Sequence, residues 1–211
     1  MVHQEAICVF DGRFRDHHRS GVITEQMSVG GHNHMSTLPI LQFGAPELRQ
    51  RARTVNSFNK QLRSLIDAMA ETLDTRDDGA ALAATQVGVL RMLTVVDYED
   101  EYLELVNPKV VHAEGEQTDY EGCLSFPGYV GLVTRFETVE VSFFTRNGRE
   151  RTIVRSGRMA RCLQHEIDHL NGILFVDRVQ EAQLINKTDN ARLDLAYVKA
   201  LADGSISGER L

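Results

Sequence analysis

The sequence predicts an α+β fold: mainly antiparallel β-sheets packed around a central helix that carries an H-E-x-x-H motif. An amphipathic helical pattern occupies residues 59–76, several strand-like runs follow, and a second long helical pattern ends near residue 171. Helix, consecutive strands, then helix is the α+β order, and a tight hairpin among the strands makes the pairing antiparallel.

Residues 1–36 hold five of the eight histidines (His3, His17, His18, His32 and His34) and show no sustained period of either kind. Their spacing matches no defined ligand pattern, so this segment is expected to be a disordered extension. Ordered-looking sequence begins at "STLPILQFG", which makes Met27 and Met35 candidate starts. From 59 to 76, "NKQLRSLIDAMAETLDTR" sets Leu62, Leu65, Ile66, Met69 and Leu73 on one face of a core-facing helix. The segment "DDGAALAATQVGV" is rich in small residues. The runs "RMLTVVDY" and "LELVNPKVVHAEGE" are rich in β-branched residues, with a turn expected at Asn107-Pro108. "VEVSFFTRNGRERTIV" reads as two alternating strands joined across Asn147-Gly148.

The second helix is expected to start at Ser156 as N-cap, run through "GRMARCLQHEIDHL" and stop at Asn171-Gly172 with a left-handed glycine. Both long helices and the strands between them fall within residues 37–180, where the folded unit is expected. A polar tail is expected over 181–211, with one weak helical segment at "ARLDLAYVKALA".

The 211 residues suit one domain, and 42% hydrophobic residues can fill a core. A net charge of -7 argues against a direct nucleic-acid site, which usually leaves a basic footprint. Three cysteines, Cys8, Cys123 and Cys162, form no disulfide framework and point to a reducing compartment. The N-terminus shows no basic region followed by an apolar run, and no stretch reaches membrane-span length. The expectation is a cytoplasmic protein without a membrane partner.

"QHEIDHLNG", residues 164–172, carries the chemistry. On a helix His165 and His169 share a face one turn apart and can hold one metal ion. Glu166 lies a third of a turn round and can reach a water beside the metal without ligating it. A catalytic site usually takes a third protein ligand. No histidine follows His169, and Glu181 has no ligand-bearing context. Upstream, "YEGCLSFPG" puts Cys123 in a Gly-flanked turn after a strand. The rival is Cys162, but its seven-residue separation from His169 is about 10.5 Å of helical rise, too far for one ion. Cys123 is the better third ligand, and Cys162 reads as a small buried apolar residue.

"GAALAATQ" (79–86), "EGCLS" (121–125) and "QHEIDHLNG" occur in order, flanked by "LPILQFGAPELRQ" and "GILFVDR". Together they resemble the peptide deformylase family, whose members remove the formyl group from the initiator methionine of bacterial and organellar proteins. The resemblance spans roughly residues 37–180. It implies Cys123, His165 and His169 as ligands of one divalent ion, Fe2+ in the usual native state, with Zn2+ or Ni2+ able to replace it. It further implies Glu166 as proton carrier, and Gln86 with the Leu124 backbone N–H as donors to the developing oxyanion. Gly79, Ala80 and Ala81 would form a strand edge that pairs with substrate. The ribosome is a partner by the same analogy.

Two positions depart from the family pattern. Ala81 stands where the family usually has a second glycine, and Val130 stands where some members have an arginine after the cysteine motif. A Cβ at 81 is tolerable on an extended backbone and costly where φ is positive. Two other readings stay open from the residues alone: a zinc endopeptidase using the same helix, and a catalytically retired homologue that binds metal or formyl-peptide without turnover.

Overall fold

The computed structural model describes residues 37–98 and 100–206; the expected extension at 1–36 lies outside them. Its elements are α1 (Lys60–Asp74), β1 (Ala81–Ala83), β2 (Leu93–Tyr98), β3 (Glu101–Glu114), β4 (Gln117–Cys123), β5 (Phe126–Arg135), β6 (Thr138–Phe144), β7 (Glu150–Ser156), α2 (Gly157–Leu170), α3 (Phe175–Arg178), β8 (Val179–Asn186) and α4 (Leu195–Ala202). Two antiparallel sheets form, one in the order β1-β2-β3-β6-β7 and one in the order β4-β5-β8. The α+β class with a central motif-bearing helix is what the sequence predicts.

Helix α1 begins where the Asn59 side chain accepts from Leu62 N–H, capping one of the orphan first-turn donors. Leu62, Ile66, Met69 and Leu73 are buried against Leu82, Leu93, Val95 and Val106 of the larger sheet. Leu65 is only partly buried at the margin of this cluster. On the same sheet, Met159, Ala160, Cys162 and Leu163 of α2 pack with Val96, Leu105, Val139 and Val141. A further core between the smaller sheet and the C-terminal elements joins Phe126, Val133, Phe175, Leu184 and Val198. Helix α2 therefore has the large sheet along one side and the small sheet along the other.

Three expectations need correction. No turn forms at Asn107-Pro108: β3 runs through as a 14-residue strand, bulged where its pairing with β6 shifts between Val106 and Lys109. Asn107 takes the left-handed conformation at φ 53. It spends its side chain on the neighbouring segment, accepting from Val55 N–H at 2.8 Å and donating to Val55 C=O at 2.9 Å. Turn-type residues here mark an irregularity within a strand.

Ser156 occupies the N-cap position of α2 without making a cap bond. It still belongs to β7, where its hydroxyl meets that of Thr138 at 2.9 Å, and Gly157 N–H is satisfied by Glu137 C=O. The tail boundary expected at 180 falls inside β8, whose Leu184 is buried, and α4 sends Val198 and Ala202 into the same core. A two-turn helix carries too few periods to look amphipathic in sequence, although Asp194 caps it through Ala196 N–H and Tyr197 N–H.

The hairpin turn at Asn147-Gly148 and the stop of α2 form as expected. Gly172 has φ 74, and a Cβ there would lie 2.5 Å from Arg49 O. Only glycine satisfies both the left-handed cap and this backbone approach.

Replacing Asn107 by Ala removes both bonds to Val55 and leaves a β-carbon in the left-handed region. The expected cost is about 2 kcal/mol of unfolding free energy, read from urea titration, with the secondary structure retained.

Candidate metal centre

Cys123 stands at the last position of β4, paired with Phe126 across a two-residue turn, so its thiol is aimed from the small sheet toward α2. His165 and His169 meet it from one face of that helix. All three residues are buried, and their ligand atoms lie within 4.8 Å of one another. The Cys123 Sγ to His169 Nε2 separation is 3.2 Å, as is that between the two Nε2 atoms. Two nitrogens bound to one tetrahedral ion at about 2.0–2.1 Å stand about 3.3 Å apart, so the spacing suits a shared cation. Cys162, fully buried in the apolar cluster, takes no part in the group.

The rings are turned for this purpose. His165 Nδ1 lies 3.0 Å from Glu121 Oε2, which fixes Nδ1 as donor and leaves the Nε2 lone pair facing the centre. Burial, with the positive charge of nearby Arg135 adding to it, holds His169 well below the ordinary histidine range and keeps it neutral. Its Nδ1 finds no hydrogen-bond partner among the described residues.

Glu121 itself is fully buried. Burial opposes its ionisation, but Arg135 and His165 more than offset this and hold the carboxyl well below the usual carboxylate range. Arg135 grips it through Nε at 2.8 Å and Nη2 at 2.9 Å. Arg161 adds an Nη1 bond at 2.8 Å. The network continues from Arg135 to Asp168 on α2 and from there to Arg178.

Glu166, next to His165, is also buried; burial pushes its carboxyl up to about 7, with the Thr94 hydroxyl 3.4 Å from Oε2. A cation bound beside it would lower that value by favouring the charged form. Gln86 lies in the 3-10 turn that follows β1. Its Oε1 accepts Ala83 N–H at 2.8 Å, which leaves Nε2 facing Cys123 Sγ at 3.6 Å and Ser125 Oγ at 3.3 Å. The donor end of the amide thus faces the cysteine. Leu124, directly after Cys123, is the first residue of the turn.

Gly79, Ala80 and Ala81 lead into β1, the outermost strand of the large sheet. Ala81 is extended and outside the set of positive-φ residues, so its methyl carries no backbone strain. Val130 is buried on β5 opposite Ile185.

Of the residues that the sequence singles out, the structure groups Cys123, His165 and His169, sets the Gln86 amide beside Cys123, and places Glu166 on the same helix next to His165. Sequence reasoning assigned no role to Glu121, Arg135, Arg161 or Thr94. The usable signal was charge in buried register: Arg161 lies four residues before His165 on the same stripe, and a buried guanidinium needs a carboxylate.

The polypeptide deformylase family model matches residues 37–184. A peptide deformylase from Thermoanaerobacter pseudethanolicus is 46% identical over 139 residues, covering 66% of this chain and 87% of that protein. One from Pelotomaculum thermopropionicum is 42% identical over 156 residues, 74% of this chain and 100% of that protein. Among solved structures, the peptide deformylase from Thermotoga maritima superposes with a TM-score of 0.67 at 35% identity, covering 69% of this chain and 99% of that one. The Synechococcus elongatus peptide deformylase in complex with actinonin gives 0.67 at 41% identity, covering 76% and 88%.

Glu121→Gln removes the charge that balances two buried guanidiniums and is expected to cost about 3–5 kcal/mol at neutral pH. Because the folded carboxyl titrates below its unfolded value of about 4.3, its contribution is present above that value and fades as pH falls below it. The stability gap between wild type and variant, measured by denaturant titration, should therefore hold from pH 7 to about 5 and narrow below about 4.

Proposed function

The chain belongs to the polypeptide deformylase family, and on that footing we propose how its own residues remove the formyl group from N-formylmethionyl peptides. Convergence of one thiol and two imidazole nitrogens beside a buried glutamate carries the reading. Cys123, His165 and His169 would hold one divalent ion; thiolate and imidazole donors suit first-row transition metals, Zn2+ and Ni2+ among them, and Fe2+ is the ion that the family resemblance implies. Such an ion supplies Lewis acidity, polarising the formyl oxygen and rendering water nucleophilic near neutral pH.

Glu166 takes the proton from the attacking water as its oxygen bonds to the formyl carbon. Gln86 Nε2 and the Leu124 backbone N–H donate to the formyl oxygen as negative charge develops there. The C–N bond then breaks, Glu166 returns the proton to the leaving amine, and formate departs. Burial raises the Glu166 carboxyl, and a cation beside it would favour the charged form that takes the first proton. The outer edge of β1, at Gly79, Ala80 and Ala81, pairs with the substrate backbone as an added strand. The setting is the cytoplasm, on chains leaving the ribosome, and the working unit is the segment from residue 37 through α4.

The retired-homologue reading drew its only support from Ala81, and that residue sits in unstrained extended backbone. The endopeptidase reading lacks the downstream ligand it requires.

Anaerobically purified protein should carry stoichiometric metal and release formate from formyl-Met-Ala-Ser. Cys123→Ser, His165→Ala and His169→Ala should each lose metal, while Cys162→Ser keeps it. Stoichiometric metal in Cys123→Ser would overturn the ligand set. Glu166→Ala should retain metal and turn over at least about a hundredfold more slowly; near-normal turnover would remove its assigned role. Ala81→Gly should change KM by no more than about tenfold, worth about 1.4 kcal/mol. An inert wild type beside an active Ala81→Gly would establish the retired homologue instead.

A further inference from the structure

We propose that Arg161 is a positioning residue of the metal centre, acting through Glu121 on His165. The inference rests on the reading of His165 as a ligand. Arg161 lies one helical turn before His165 on α2, with no exposed surface. A buried guanidinium is costly unless it is matched, and here each of its three nitrogens finds an acceptor. Nη1 donates to Glu121 Oε1 at 2.8 Å and to Val133 C=O at 2.9 Å; Nη2 donates to Gln117 C=O at 3.0 Å, and Nε to Gln117 Oε1 at 3.4 Å. Every partner belongs to β4 or β5, so the side chain ties the motif helix to the strands flanking the cysteine turn.

A structural tie alone would not concern the metal; the position of Glu121 makes this one different. Its Oε1 accepts from Arg135 Nε and Arg161 Nη1, and its Oε2 accepts from Arg135 Nη2 and His165 Nδ1. Four donors fill the about four acceptor positions of a carboxylate, which fixes its plane and thereby the plane of the His165 ring. Arg161 engages the oxygen that His165 does not, and so draws negative charge away from Oε2. Without it the carboxylate is free to pivot in the Arg135 fork, and Oε2 pulls harder on the Nδ1 proton. Ring orientation and donor strength at Nε2 both change, the two quantities that outer hydrogen bonds set in a metal site.

The test is metal binding and ligand field rather than turnover. Arg161→Met should raise the Zn2+ dissociation constant at least about tenfold and shift the visible absorption bands of the Co2+-loaded protein. Arg161→Lys keeps a charge and a donor and should recover most of the affinity, whereas the neutral Arg161→Gln should not. Leu163→Ala, a core truncation on the same helix, should lower Tm with bands and affinity unchanged. A folded Arg161→Met with wild-type affinity and spectrum overturns the proposal, as does a Leu163→Ala that shifts both equally. Where Arg161→Met does not fold, equal affinities for the Lys and Gln variants overturn it. His165→Ala in the same titration separates the two levels: retained affinity there removes the ligand reading, while lost affinity beside an unaffected Arg161→Met removes only the role of Arg161.

Discussion

Glu121 has no contact with solvent, and its charge stays buried only because two guanidiniums and an imidazole converge on it. Glu121 comes from β4, Arg135 from the end of β5, and Arg161 and His165 from α2, so one carboxylate joins three elements. Leaving any of these charges unpaired would cost several kcal/mol, which locks helix and small sheet in one arrangement. Cys123 is two residues along the same strand, so the lock that orients His165 also brings the cysteine sulfur toward it. The Cys123, His165 and His169 group is thus held in place by charges buried between the helix and the small sheet.

The two sheets divide the remaining work. The large sheet buries the apolar side of α2 and presents β1 as its outer strand, while the small sheet supplies the cysteine turn. Gln86 connects them: its backbone belongs to the turn after β1, and its amide nitrogen faces Cys123 and Ser125. Glu166 faces the large sheet through Thr94. Glu166 on α2 and Gln86 in the turn after β1 are thereby carried on short, buried elements rather than on a long loop.

Much of this was legible in the residues. Four-residue spacing placed His165 and His169 on one helical face, and helical rise excluded Cys162 in favour of Cys123. Leu62, Ile66, Met69 and Leu73 announced α1 because their period is strong over about three turns. Other features were hidden for physical reasons. Asn107-Pro108 reads as a turn because asparagine tolerates left-handed backbone, yet long-range pairing of β3 with β2 and β6 overrides that local preference. Ser156 reads as a cap, but its hydroxyl is already engaged across the strand pair with Thr138. The pairing of Glu121 with residues 14 and 40 positions away depends on tertiary contact, which no local pattern encodes.

Ala81 and Val130, the two departures from the family pattern, lie outside the charged lock: one is extended on β1, the other buried opposite β8. The central claim concerns how the centre is assembled, and X-ray absorption at the edge of the bound metal tests it most directly. The account predicts one sulfur at about 2.3 Å and two imidazole nitrogens at about 2.0–2.1 Å in the coordination shell. A shell without sulfur, or with two sulfurs, would contradict it.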